Sequence, residues 1–252
     1  MLRAAGLAKE FGGVRAIEAL DFEIRAGQVF SIIGPNGAGK TTLLNLLTGI
    51  YTPSAGRLWL DDRALQARAP HQFAAAGIGR TFQNLQIFFN MSALENVMAG
   101  RHLHERCSVA AALVRAPRLA RAERECRRLA AELLEFVGLG AYAGAAADAL
   151  PYGALKRLEI ARALAGEPRL LLLDEPAAGL NPSEIREMDA LIQRLGARGI
   201  TIVLVEHNMK LVMGVSDRVL VLDYGRKLAE GDAETVRNDP RVIEAYLGAG
   251  GD

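Results

Sequence analysis

The octapeptide Gly34-Pro35-Asn36-Gly37-Ala38-Gly39-Lys40-Thr41 fits G-x-x-x-x-G-K-[ST]. Glycines at this spacing let the backbone wrap closely, so successive N–H groups can point at phosphate oxygens. A helix that opens at the end of the loop adds the favourable end of its dipole. Lys40 supplies a point charge for the β- and γ-phosphates of a nucleotide, and the Thr41 hydroxyl is a ligand for Mg²⁺. The candidate phosphate-binding set is therefore Gly34, Pro35, Asn36, Gly37, Ala38, Gly39, Lys40, Thr41 and Thr42. A second group follows four leucines, Leu170 to Leu173, and consists of Asp174 and Glu175. At the carboxyl end of a strand, Asp174 can hold Mg²⁺ directly or through water, and Glu175 can polarise an attacking water. Gln83 has a carbonyl oxygen able to ligate Mg²⁺ or hold water, on a loop that can move. His207 ends another apolar run and could hydrogen-bond a γ-phosphate. His71, His102 and His104 lack such a context and are read as surface residues.

These residues need elements to position them. VFSIIG, Val29 to Gly34, is a buried-strand pattern that runs into the glycine loop, and a helix is expected from about Gly39 through Leu47. LLLLDEP, Leu170 to Pro176, is apolar on both faces, as in the middle of a parallel sheet, and ITIVLVEH, Ile200 to His207, is a second such strand. Both would bring their terminal acidic or imidazole groups to the same sheet edge. IGRTFQN, Ile78 to Asn84, reads as a short strand entering a loop. GRLWLDD, Gly56 to Asp62, alternates apolar and polar residues and predicts an exposed edge strand. RVLVLDYGRKLAEG, Arg218 to Gly231, predicts two strands turning at Tyr224-Gly225. Between Ser92 and about Gly138 the composition shifts to Ala, Leu, Arg and Glu. There Leu119, Ala122, Cys126, Leu129, Leu133 and Phe136 step by three and four along one helix face, with Pro117 in its first turn. This block reads as a helical insertion between two α/β parts. Pro240 to Leu247 predicts a short final helix.

The bulk numbers narrow the classes. The 252 residues are half hydrophobic and 23% charged, so a packed core is expected. Thirty basic residues against 29 acidic ones argue against a general nucleic-acid binder, which carries a basic excess. No apolar run approaches the ~20 residues needed to cross a bilayer, and no secretory leader is visible. Cys107 and Cys126 have no metal-ligand spacing and read as reduced thiols of a cytosolic chain.

The order of phosphate loop, Gln83, helical block, LPYGA at Leu150 to Ala154, LLLLDE, AAGLN and His207 resembles that of the ATP-binding subunits of ABC transporters, over about residues 2 to 247. The resemblance implies a single α/β P-loop ATPase domain over residues 1–252. It would have a mostly parallel core sheet, an antiparallel β subdomain, a helical subdomain at about 90–165 inserted in a RecA-like core, and a C-terminal helix and tail at 240–252. It implies ATP and Mg²⁺ as cofactors, with Thr41, Gln83 and Asp174 on the metal. Phe11 would stack on adenine. Glu175 would orient the attacking water, while His207 and Gln83 sense the γ-phosphate. Pro151, Tyr152, Gly153 and Ala154 look like the signature segment, which lies against the γ-phosphate bound by a second protomer. Asn181, where Asp is usual, closes a loop that crosses to that partner. KEFGGVRAIEALDFEI, TFQNLQIFFNMSALENVMAG, LPYGALKRLEIARALA and VEHNMKLVMGVSDRVLVLDYGRKLAEG are similar to the larger ATPase subunit of branched-chain amino-acid importers. Importers of urea, amides or organic acids, and lipopolysaccharide-export ATPases, are related alternatives, and a non-transport ATPase is a more remote one. Implied partners are a second ATPase subunit, integral membrane permease subunits and, indirectly, a substrate-binding protein. The implied location is the cytoplasmic face of the inner membrane.

Three features stand apart from the shared pattern. Pro151 removes a hydroxyl and an N–H that a serine would offer, and one hydrogen bond to a charged group contributes about 1.5–3 kcal/mol; Pro is nonetheless familiar at this position in the branch. Ala154 removes a side chain but keeps its backbone N–H. NLQIFFN, Asn84 to Asn90, is unusually apolar for a loop, and Leu85, Ile87, Phe88 and Phe89 are expected to line a groove for a cytoplasmic permease helix. Arg115, Arg118, Arg121, Arg124, Arg127 and Arg128 could face anionic headgroups. Pairing with Glu123, Glu125 and Glu132 favours a solvated helix face instead.

Overall fold

The computed structural model describes residues 1–65, 68–102 and 117–248. Two sheets organise it. The first is antiparallel, in the order β2-β1-β4-β5, from β1 (Leu2–Phe11), β2 (Val14–Ile24), β4 (Ala55–Leu60) and β5 (Arg63–Ala64). The second has six strands in the order β10-β9-β3-β8-β7-β6: β10 (Arg226–Gly231), β9 (Arg218–Asp223), β3 (Val29–Ile33), β8 (Thr201–Val205), β7 (Leu170–Asp174) and β6 (Ile78–Arg80). All its neighbours pair in parallel except β10 with β9. The helices are α1 (Lys40–Leu47), α2 (Pro70–Ala75), α3 (Ala93–Ala99), α4 (Pro117–Phe136), α5 (Tyr152–Leu164), α6 (Pro182–Ala197), α7 (Met209–Val215), α8 (Ala233–Arg237) and α9 (Pro240–Gly248).

The apolar runs of β3, β7 and β8 are buried on both faces, alternate residues entering different cores. Phe30, Ile32, Leu170, Leu172, Val203 and Val205 pack with α1 and with the antiparallel sheet. Val29, Leu171, Leu173, Ile202 and Leu204 pack with α6, through Met188, Leu191, Ile192 and Leu195, and with α3, α4 and α5. Full burial of one such side chain contributes about 1.5–3 kcal/mol. A third, smaller core joins Ile33, Val219 and Val221 to Val212, Val236 and Val242 of the last three helices. Among the described residues no helix is long and apolar enough to cross a membrane.

Three expectations need correction. β4 is not an edge strand, because the turn at Asp61-Asp62 folds the two-residue β5 back onto it. The buried stripe of α4 is Cys126, Ala130 and Leu134, continued by Val137 just past its end, with Leu129, Leu133 and Phe136 half-buried on its flank and Ala122 exposed. The expected face thus shares Cys126 with the buried stripe, and its Leu133 and Phe136 pack partly buried against the same core; the side chain of Leu119 lies outside the described residues. The strand before Gln83, expected within Ile78 to Asn84, covers only Ile78–Arg80, so Thr81 and Phe82 already lie beyond it. The long β1–β2 hairpin has a readable signal, Gly12-Gly13 with φ of 52° and 89°, the left-handed pair of a two-residue hairpin turn. Of the basic run, Arg127 faces Glu123, and Arg128 pairs with Glu125 and Glu132, so this part is a solvated helix face. Cys107, His104, Arg115 and the side chain of Arg118 lie outside the described residues.

Candidate active site

The loop from Gly34 to Gly39 leaves β3 and enters α1, as its sequence requires. Two glycines fit it between neighbours. At Gly34 (φ 153°) an added Cβ would lie 2.2 Å from the Leu222 carbonyl oxygen. At Gly39 (φ 101°) it would lie 2.7 Å from that of Ala16, on β2. Lys40 folds back over this loop, and its Nζ donates to the carbonyl oxygens of Gly34 at 2.6 Å and Pro35 at 2.9 Å. Burial lowers the Lys40 pKa, against the opposing fields of Glu175 and Asp174. Ala38 is buried, Thr41 is exposed at the helix start and Thr42 is half-buried.

Asp174 ends β7 with its backbone N–H on Thr81 Oγ1 at 3.3 Å. Its Oδ2 accepts from Arg80 Nη2 at 3.0 Å, with the two side chains only 5% and 6% exposed. Arg80 Nη1 also donates to Asn45 Oδ1 at 2.7 Å and Thr48 Oγ1 at 3.1 Å, both on or next to α1. This guanidinium therefore stitches β6, β7 and the phosphate-loop helix together. Sequence reasoning passed over it because a lone Arg at a strand end reads as a solvated one. Burial pushes the Asp174 carboxyl above its usual range, and Arg80 acts against that shift.

The next residue is the centre of the site. Glu175 Oε1 lies 2.7 Å from His207 Nε2, and Oε2 accepts from Gln83 Nε2 at 3.1 Å. Three residues singled out from separate parts of the sequence thus meet at one carboxylate. Glu175 has φ 49°, a left-handed conformation that costs a non-glycine residue about 1–3 kcal/mol. Its N–H is held by the Val205 carbonyl at 2.8 Å. Buried Glu206 braces the surroundings, accepting from Ala177 N–H at 2.7 Å and from the N–H groups of His207 and Asn208 at 3.0 and 3.2 Å. Glu206 was not singled out in the sequence, where it is one more acidic residue beside His207.

The remaining candidates lie outside this cluster. Phe11 is exposed at the tip of the β1–β2 hairpin, edge-on to Tyr51 with ring centroids 5.1 Å apart. Pro151 precedes the first turn of α5 without a side-chain cap, and Tyr152 is exposed beside it. Gly153 is buried where an added Cβ would sit 2.5 Å from Glu184 Oε1. Ala154 is 3% exposed and packs in the interior, so its side chain does not face a phosphate or a partner. Asn181 caps α6, its Oδ1 accepting from Ser183 N–H at 2.9 Å and Glu184 N–H at 3.1 Å.

A strand, a glycine loop, a helix beginning with lysine and a strand-end Asp-Glu pair together define a P-loop nucleotide hydrolase. The chain belongs to the ABC transporter family, whose family model matches residues 17–178, and it is an ATPase of that family. A second model, described as branched-chain amino acid ATP-binding cassette transporter, matches residues 226–252. The chain is 45% identical over 249 residues to the high-affinity branched-chain amino acid transport ATP-binding protein BraF of Pseudomonas aeruginosa, covering 98% of each. Its fold is similar to the ADP conformation of MJ1267, an ATP-binding cassette of an ABC transporter, at TM-score 0.85 and 32% identity with 98% of each chain covered. It is also similar to the dimeric post-hydrolysis state of the cassette MJ0796 bound to ADP and phosphate, at TM-score 0.78 and 25% identity, covering 92% of this chain and 99% of that one.

Proposed function

We propose that this chain energises import of branched-chain amino acids, as one of two ATPase subunits on the cytoplasmic face of a membrane permease fed by a substrate-binding protein. The convergence of Gln83 and His207 on the two oxygens of Glu175 carries the catalytic part of this reading. Glu175 takes the proton of a water whose oxygen attacks the γ-phosphorus, while the bond to the bridging oxygen of ADP breaks. His207 and Gln83 hold that carboxylate in line, and Lys40 balances charge on the phosphates. Mg²⁺ would be held by phosphate oxygens together with Thr41, Asp174 and Gln83 as the protein's contributors. The ion would supply charge neutralisation on the β- and γ-phosphates. Phe11 would support adenine, and residues 90–165 would act as a helical subdomain. Reconstitution with its permease and binding protein in vesicles tests the solute: ATP-dependent uptake of labelled leucine is expected, and uptake of urea or an aromatic acid in its place would refute the assignment.

The permease docks, in this proposal, at a groove of about 610 Å³ lined by Phe82, Leu85, Phe88, Gly100 and Arg162. Ile87 also lines it while packing into the chain's own core, Phe88 is exposed at it, and Phe89 is exposed but is not part of its lining. Replacing Phe88 and Phe89 together by Ser is expected to leave ATP affinity unchanged and to abolish co-purification with the permease. Intact assembly would rule out the groove.

The start of α5 would meet the nucleotide held by the partner subunit through its unpaired first N–H groups. Pro151→Ser adds both a hydroxyl and an N–H there. About 10-fold stronger ATP-driven dimerisation is expected, read by light scattering on chains that bind ATP without turning it over. An unchanged dimer fraction would mean that the hydroxyl has no partner.

A further inference from the structure

Helix α5 places Lys156, Glu159 and Arg162 on one face at intervals of three, and all three meet the segment that carries Gln83. Glu159, 2% exposed, accepts from the N–H groups of Phe82 at 3.2 Å and Gln86 at 3.4 Å. The Arg162 guanidinium lies 5.4 Å from the centre of the Phe88 ring. Lys156 is 2% exposed, and its Nζ donates to the carbonyl oxygens of Gln83 at 3.2 Å and Glu175 at 3.4 Å. A buried ammonium is costly where an apolar side chain would pack as well, so its two acceptors identify what it is for.

Both acceptors are main-chain atoms of residues at the reactive centre. The Glu175 peptide is in a conformation that its sequence disfavours twice. Its φ of 49° is left-handed, and it precedes Pro176, which biases the preceding residue toward extended backbone. Val205 holds the N–H side of Glu175, and Lys156 holds its carbonyl side.

We propose that Lys156 is a positioning residue for ATP hydrolysis: it fixes the main chain of Glu175 and Gln83 together and ties both to the helix whose N-terminus faces the partner subunit. Rotation of α5 on engaging the partner's nucleotide then moves the general base and the glutamine as one unit. This rests on the reading of Glu175 as that base and of the α5 N-terminus as the partner-facing segment.

The test compares Lys156→Met, which keeps length and removes every donor, with Lys156→Arg, using steady-state hydrolysis by the full chain and direct ATP binding. For Lys156→Met, kcat is expected to fall about 10- to 100-fold, as for an atomic misplacement near 1 Å, while KM and ATP affinity stay within about two-fold. Lys156→Arg should recover most of the loss. Should the Met variant fail to fold, Lys156→Leu, which also carries no donor, is read in the same way. A kcat within two-fold of the parent, a loss carried by KM, or an Arg variant no better than Met overturns the proposal. Glu175→Gln serves as the separate control: its full activity would overturn the assignment of the base, whereas a dead Glu175→Gln with an active Lys156→Met overturns only the role of Lys156.

Discussion

Glu175→Gln is expected to lower ATP turnover by about 10²- to 10⁴-fold, the range contributed by a positioned general base, with ATP affinity within about two-fold. The amide keeps the shape of the carboxylate. It can still lie between His207 Nε2 and Gln83 Nε2, now 2.7 and 3.1 Å from the two carboxylate oxygens. It cannot accept the proton of an attacking water. In the proposed function the glycine loop and Lys40 bind the nucleotide, and the substitution leaves them alone, so chains loaded with ATP should accumulate as long-lived dimers. Single-turnover hydrolysis and size-exclusion chromatography with ATP read the two effects separately. Turnover above a tenth of the parent's would remove Glu175 from the chemistry.

Arg80→Leu is expected to be the most damaging structural substitution. It leaves Asp174 buried without its partner and deprives Asn45 and Thr48 of a donor. Breaking a buried ion pair by removing one partner costs about 3–5 kcal/mol, or a fall in Tm of about 6–20 °C for a chain of this size. The loss should depend on pH with a definite sign. Burial already raises the Asp174 pKa, and Arg80 works against that rise. Without Arg80 the folded-state pKa rises further. Stability from a raised carboxyl is present at low pH and lost as pH climbs through the folded pKa. The gap between Arg80→Leu and the parent should therefore narrow on acidification and widen toward neutral pH. Urea unfolding at the two extremes measures it. A gap independent of pH would mean that lost packing, not the orphaned carboxylate, is the cause.

What the sequence disclosed was local, and what it concealed was geometric. The phosphate loop could be read because its glycines, Lys40 and Thr41 are adjacent, and β3, β7 and β8 because burial on both faces leaves an unbroken apolar run. Glu175, His207 and Gln83 could be named singly from their places at strand ends. That Glu175 and His207 share a sheet edge followed from reading β7 and β8 as central parallel strands, but the strand order that sets β7 beside β8 and β6 beside β7, and so brings Gln83 in, is encoded in no local pattern. Ala154 looked like a missing functional side chain, yet its position faces the interior, where a small apolar residue is what the packing admits. The β1–β2 hairpin escaped because its register shifts at Ala4/Leu7, Leu7/Lys9 and Lys9/Glu10 break the two-residue alternation. Arg80, Glu206 and Lys156 are charged residues whose burial appears only once distant strands and helices close around them. In a single sequence they resemble any surface charge.

The place of β3 in the sheet also governs how the chain is made. Val29 pairs with Ile202 and Phe30 with Arg218, so both neighbours of this strand belong to the last quarter of the chain. A ribosome delivers Val29–Ile33 long before either flank exists. Until then a five-residue apolar strand has two open edges, the form in which nascent chains recruit one another. Pairings this remote in sequence also slow folding, because the intervening loop must close before any contact rewards it. The strand that launches the phosphate loop is thus exposed for most of synthesis. Expression yield should be governed less by final stability than by chaperone capacity during that interval.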